Sequence, residues 1–158
     1  MATFRRLTTN DLPRLRQFWL DHWGGDEIIV HGVTCRPEQL DGFTALDGEE
    51  WMGLVTFVVA DGTCEIVSLD SLREGQGIGA RLIEEVVEAA RRQACRRVFL
   101  VTTNDNLHAL GFYQRHGFRL VAIRPGAVDE ARKVKPAIPL VGRNGIPLLD
   151  EIELELSL

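Results

Sequence analysis

At 158 residues, with 45% hydrophobic and 26% charged side chains, the chain has the size and profile of one ordinary globular domain, residues 1–158. No apolar run approaches the roughly 18 residues of a membrane span, and residues 1–6 lack the apolar stretch and cleavage site of an export signal. The net charge of -5, without a long basic stretch, argues against nucleic acid as a partner.

Three scattered cysteines, Cys35, Cys64 and Cys95, form neither a CxxC pair nor a disulfide framework. The expectation is a cytoplasmic protein with no metal and no membrane contact.

In chain order, residues 4–7 read as a short strand. Thr9 or Asn10 is expected to cap a helix over 11–21, with Leu12, Leu15, Phe18 and Trp19 on one face. Residues 22–37, with Gly24-Gly25 and a short apolar run over 28–30, read as an irregular or mixed connection. Residues 42–46, 51–60 and 63–69 read as three strands of a meander, turned by Asp47-Gly48 and Asp61-Gly62. A helix follows over 77–93, with Ile78, Leu82, Ile83, Val86, Val87 and Ala90 on its apolar face. Residues 98–102 form an apolar strand, 106–116 a helix stopped by Gly117, and 118–123 another strand.

Residues 124–147 hold four of the six prolines and a helix-like piece over 128–133, a connection long enough to be functional. Ile152, Leu154, Leu156 and Leu158 alternate with Glu151, Glu153, Glu155 and Ser157, the pattern of a half-buried strand.

The chemistry concentrates where the third strand of the meander runs into Gly75, Gly77 and Gly79 and then into an amphipathic helix. Glycines permit a tight turn and close approach of a bulky anion. A helix start offers unpaired N–H donors and the positive end of the macrodipole, suited to phosphate or pyrophosphate. On its own the turn also fits a plain strand-to-helix connection. No Lys-Ser or Lys-Thr follows the last glycine, as a phosphate-loop NTPase requires, and G-x-G-x-G after a meander is not the Rossmann G-x-G-x-x-G.

One strand later comes Asn106-x-x-Ala109-x-x-Phe112-Tyr113-x-x-x-Gly117-Phe118. With these two motifs in this order, the chain resembles the GNAT superfamily of N-acyltransferases over most of its length. The resemblance implies an α+β fold: a mostly antiparallel mixed sheet flanked by helices. It implies acetyl-CoA as co-substrate and a primary amine, of a small molecule or a protein, as acceptor. Backbone groups near Leu69 would pair with the pantetheine arm as an added strand does. Amides around Gly75, Gln76, Gly77, Ile78, Gly79 and Ala80 would hold the pyrophosphate. Asn106 would contact the cofactor, Phe112 would pack beside it, and Tyr113 would protonate the departing sulfur. The family usually carries Arg or Gln where this chain has Glu74, and Arg73 is the neighbouring positive charge offered in its place.

Tyr113 is the only tyrosine, so the role of acid has one tyrosine candidate; its other reading is a core aromatic with a satisfied hydroxyl. The general base is not identified. Glu65 reads either as a base, directly or through water, or as a solvated cross-strand residue. His31 lies where the family forms its acceptor site, while His22, His108 and His116 read as surface or helix-face residues. Asp26, Glu27, Asp150 and Glu151 are candidates to attract a cationic amine, and Arg132 and Lys135 to hold an acceptor carboxylate. A non-catalytic acyl-CoA-binding sensor on the same fold is the alternative reading, and a homodimer is a possible assembly.

Overall fold

The apolar runs between turn residues become strands, and the three-to-four-residue apolar spacing becomes helices, in the computed structural model, which describes residues 2–158. The described residues divide into two compact units. The first comprises the chain up to Ile28, Thr34–Val98 and Leu158; the second comprises Ile29–Val33 and Phe99–Ser157.

In the first unit, strand β1 (Thr3–Arg6) leads into a single 3-10 turn, Thr9–Asp11, and helix α1 (Leu12–Trp23). The expected helix cap at Thr9 or Asn10 is corrected here. Thr8 caps the 3-10 turn, its N–H donating to Asp11 Oδ2 at 2.8 Å. The α-helix starts only at Leu12 because Pro13, lacking an N–H and with fixed φ, belongs in a first turn. Leu15, Phe18 and Trp19 are buried as the spacing predicts, whereas Leu12 is half-buried.

The stretch read as irregular contains a small ribbon, β2 (Ile28–Val30) and β3 (Val33–Cys35), turned at His31-Gly32 with positive φ at both. Three residues per strand is too short a run for periodicity to reveal.

Strands β4 (Asp41–Asp47), β5 (Glu50–Ala60) and β6 (Thr63–Ser71) form the expected meander, and the hydrogen-bonded order is β1-β4-β5-β6. Every pairing in this series is antiparallel. Thr56 faces Ser68 but Phe57 faces Ile66, so Val67 is an extra residue, a bulge two positions before Leu69. Helix α2 (Ile78–Arg92) packs its apolar face on β4, β5 and β6, with Leu82, Val86 and Ala90 fully enclosed.

The second unit holds most of β7 (Arg97–Thr103), then α3 (Leu107–Arg115), β8 (Arg119–Arg124), α4 (Ala127–Val134) and β9 (Glu151–Ser157). Its strand order is β7-β9-β8, with β8 and β9 antiparallel. Alternation along β9 puts Ile152 and Leu154 inside, yet Glu153 is also buried. Its carboxylate accepts from Arg124 Nη2 at 2.7 Å, the partner a buried charge requires.

Arg132 of α4 donates to the carbonyls of Pro139 and Leu148, both at 2.7 Å, and to Asp129. Asn104 adds a second staple, its Oδ1 accepting from the Leu149 and Asp150 amides at 3.0 Å. No helix among the described residues is long and apolar enough to cross a membrane.

Asp11 gives the first unit an acid-sensitive joint. Hydrogen bonds from Arg5 at 2.8 and 2.9 Å, with the Thr8 amide, hold its carboxyl at about 2 against an ordinary 3.8. A folded-state value below the unfolded one contributes stability that is complete above pH 4 and lost as pH falls toward 2. The stability gap between wild type and Asp11→Asn is expected to be widest near neutrality and to close across that window, measured by urea midpoints against pH.

Candidate active site

Strand β6 ends at Ser71, and α2 begins from Gly77, which sits at the cap position with φ 72° and ψ 14°. Gly75 is also left-handed, at φ 76°, so both backbone turns favour glycine over residues with a Cβ. A Cβ built on either would meet nothing within 4 Å, so the space over the turn is open. Gly75, Gln76 and Gly77 are exposed, and Gly79 and Ala80 are half-buried. The first intrahelical bond runs from the Arg81 N–H to the Gly77 carbonyl at 3.1 Å. The amides of Gly77, Ile78, Gly79 and Ala80 therefore precede the helix's own ladder. A glycine cap brings no side chain to satisfy them, and no acidic residue lies in the first turn. Such a turn suits an anion with several oxygens, and a pyrophosphate fits that description.

The buried end of this turn is held by close packing. Ile78 is 1% exposed, and a Cβ on Gly53 of β5 would lie 2.7 Å from its Cγ2 and 3.0 Å from the Asp70 carbonyl oxygen. Gly53 is thus a residue of the site that the sequence reading passed over. Its signal was available: a glycine inside an apolar strand marks close approach by another element.

Leu69 pairs with Val55 and is half-buried, just after the Val67 bulge. Arg73 is turned to other work. Its guanidinium bonds Asp47 at 2.9 Å and reaches Glu50 at 3.4 Å, and the same contact holds the Asp47 carboxyl below its usual range. Its charge is therefore shared with two carboxylates of the β4–β5 turn. Glu74 is exposed.

In the second unit, Asn106 caps α3: Oδ1 accepts from the Ala109 amide and Nδ2 donates to Thr102 Oγ1, both at 3.2 Å. The buried Asp105 beside it accepts from Thr103 Oγ1 at 2.5 Å and from the Arg143 amide at 2.8 Å. Gly142 lies against that carboxylate so closely that a Cβ there would overlap it.

The far end of α3 closes on Gly117 at φ 91°. The Gly117 amide donates to the Gln114 carbonyl at 3.1 Å and the Phe118 amide to the Tyr113 carbonyl at 3.0 Å, a Schellman closure. The rings of Tyr113 and Phe118 meet edge-on at 5.3 Å, the apolar contact that accompanies this closure. Tyr113 is 6% exposed, and Phe112 is half-buried with the His116 ring 4.4 Å away.

Several other candidates have structural employment. Arg132 is spent on its own loop, which corrects its reading as a carboxylate anchor. Glu27 pairs with Arg36 at 3.0 Å, Asp150 accepts from the Gly126 amide at 2.9 Å, and Glu151 accepts from the His31 amide at 3.2 Å. Glu65 is half-buried on β6, opposite Val58. His22 and His116 each bond a carbonyl four residues earlier through Nδ1, at 2.9 and 2.8 Å. A carbonyl only accepts, so Nδ1 is the donor in both bonds.

The model of the acetyltransferase (GNAT) family matches residues 6–118. The chain belongs to this family. It is 43% identical over 139 residues to YdhI of Bacillus subtilis, covering 87% of each chain. It is 30% identical to the N-acetyltransferase YvbK of the same organism, over 77% of each. A GNAT acetyltransferase from Elizabethkingia anophelis, solved with acetyl-CoA bound, shares the fold with a TM-score of 0.72 at 22% identity, over 99% of this chain and 98% of that one. The expected α+β class and GNAT fold are thus borne out.

Gly53→Ala is expected to push Ile78 and the start of α2 off the sheet and to cost about 1–3 kcal/mol. A lower urea midpoint at unchanged slope is the check.

Proposed function

We propose that this GNAT enzyme is an N-acetyltransferase of residues 1–158 that moves the acetyl group of acetyl-CoA to a primary amine of a small molecule or protein. The observation that carries the reading is the glycine-capped start of α2, an open row of amides with no acid in its first turn. The acetyl-CoA in the E. anophelis structure supports the choice of carrier. When bound, acetyl-CoA supplies an activated thioester carbonyl and a thiolate leaving group.

The amides of Gln76, Gly77, Ile78, Gly79 and Ala80 hold the pyrophosphate, with Gly75 completing the turn. Backbone groups around Leu69 pair with the pantetheine arm. Asn106 offers the amide N–H that its cap leaves over, and Phe112 supplies an apolar face. Arg73 contributes its charge from a distance, since exposed ion pairs of its kind are worth about 0–1 kcal/mol and exchange partners readily.

Tyr113 acts as general acid. A tyrosine hydroxyl titrates near about 10 and a thiol near about 8.5, so at neutral pH the hydroxyl keeps a proton that the departing sulfur can take. The acceptor nitrogen must attack as the neutral amine. An alkylammonium near about 10.4 needs roughly 4–5 kcal/mol to lose its proton at pH 7, unless a base or burial reduces that cost.

The cytoplasm is the proposed compartment. Cys35, Cys64 and Cys95 are all free thiols, and burial pushes Cys64 up to about 12. A homodimer belongs to the same proposal, supported by the exposed Leu120, Val121 and Ile123 on edge strand β8.

Titration calorimetry with acetyl-CoA is expected to give saturable binding. Tyr113→Phe is expected to keep that binding while thiol release with an amine falls about 10²-fold or more. Tight binding with turnover indifferent to Tyr113→Phe would favour a non-catalytic acyl-CoA sensor instead.

A further inference from the structure

Trp23 and Asp70 form a pair, within the first unit, that the carrier site does not use. Of three tryptophans, Trp19 and Trp51 are 0% and 4% exposed, whereas Trp23 is 43% exposed. Trp23 is the last residue of α1, and its indole Nε1–H donates to Asp70 Oδ2 at 3.2 Å across 47 positions of sequence. Asp70 stands on β6 directly after Leu69, paired with Leu54 of β5.

Three features at this spot attract a cation. An indole has an electron-rich face that binds ammonium groups, more strongly than the other aromatic side chains do. The aspartate at its edge brings carboxyl oxygens, which accept from a donor such as an ammonium. The C-terminal end of α1 adds the partial negative charge of its last carbonyls, and His22 is the only basic residue in that turn.

We infer that Trp23 and Asp70 hold a positively charged group of the acceptor that is not the nitrogen being acetylated. The inference rests on the acetyl-CoA-dependent reading above. Its chemistry follows from protonation: a carboxylate beside an ammonium keeps it charged, whereas the attacking nitrogen must be neutral. The two demands fall on different nitrogens. The preferred acceptor class is therefore a diamine or another amine that carries a second cation.

The test uses the full chain with acetyl-CoA and two probes, 1,4-diaminobutane and n-butylamine. Thiol release is expected to show a kcat/KM for the diamine about tenfold or more above that for the monoamine. Asp70→Asn and Trp23→Phe are expected to raise the KM for the diamine and bring that ratio toward one, while the KM for acetyl-CoA stays put. Thermal melts of both variants accompany the assay, because a merely structural tie would lower the midpoint without moving the ratio.

Emission of the exposed indole gives a readout without turnover. A saturable change on adding 1,4-diaminobutane is expected in wild type, absent in Trp23→Phe and weakened in Asp70→Asn. Equal use of the two amines, or an unchanged ratio in folded Asp70→Asn, overturns the inference. If neither amine is acetylated, the emission titration decides, and no saturable change there overturns it as well. Failure of acetyl-CoA to bind is a separate result, which removes the carrier reading and this inference with it.

Discussion

Helix α2 begins on a residue that has no side chain, and the first unit is arranged around that fact. With Gly77 in the left-handed region, the chain turns from β6 into the helix and leaves its leading amides facing open space. Any serine or aspartate at the cap would answer one of those amides from within, which is what such residues ordinarily do. The turn is stiffened from below rather than from the side: Ile78 seats against Gly53, where even a methyl group would collide. Core packing fixes the direction of the amides, and the absence of side chains keeps them available.

The second unit solves a similar problem with opposite means. Helix α3 has both ends satisfied, by Asn106 at the start and by the Gly117 closure at the finish. Tyr113 lies one turn from that finish, and its own carbonyl accepts the closing bond from Phe118. The ring of Phe118 then rests edge-on against it. The motif Phe-Tyr-x-x-x-Gly-Phe is therefore a structural unit before it is a chemical one. Glycine allows the left-handed residue, and the second phenylalanine rests edge-on against the tyrosine ring.

Much of this was legible from residue order, for identifiable reasons. The α2 face, the two Asp-Gly turns and the Gly117 stop rest on local periodicity or on one residue's dihedral preference, and each appears as read, whereas the strand at β9 appears but its alternation is broken by the buried Glu153. What escaped depended on partners distant in sequence. The burial of Glu153 needs Arg124, 29 positions away, and the employment of Arg132 needs carbonyls at 138, 139 and 148. The start of α1 moved because Thr8 and Asp11 form a small closed turn ahead of Pro13. The bulge at Val67 leaves no compositional trace, because a valine in a strand looks the same whether or not it has a partner.

The charges near the glycine turn give the last step. Glu74 beside the turn is exposed, and the adjacent Arg73 is drawn back toward Asp47 and Glu50. Side chains at that end of the turn therefore contribute little net positive potential. On the proposed reading, attraction of a diphosphate falls to backbone N–H groups, whose partial charges act over a single turn and add only when several point the same way. That places a strict demand on geometry and a loose one on side-chain identity. On that reading a glutamate at position 74 is compatible with the turn, whereas Gly75 and Gly77 hold a left-handed backbone that residues with a side chain rarely adopt.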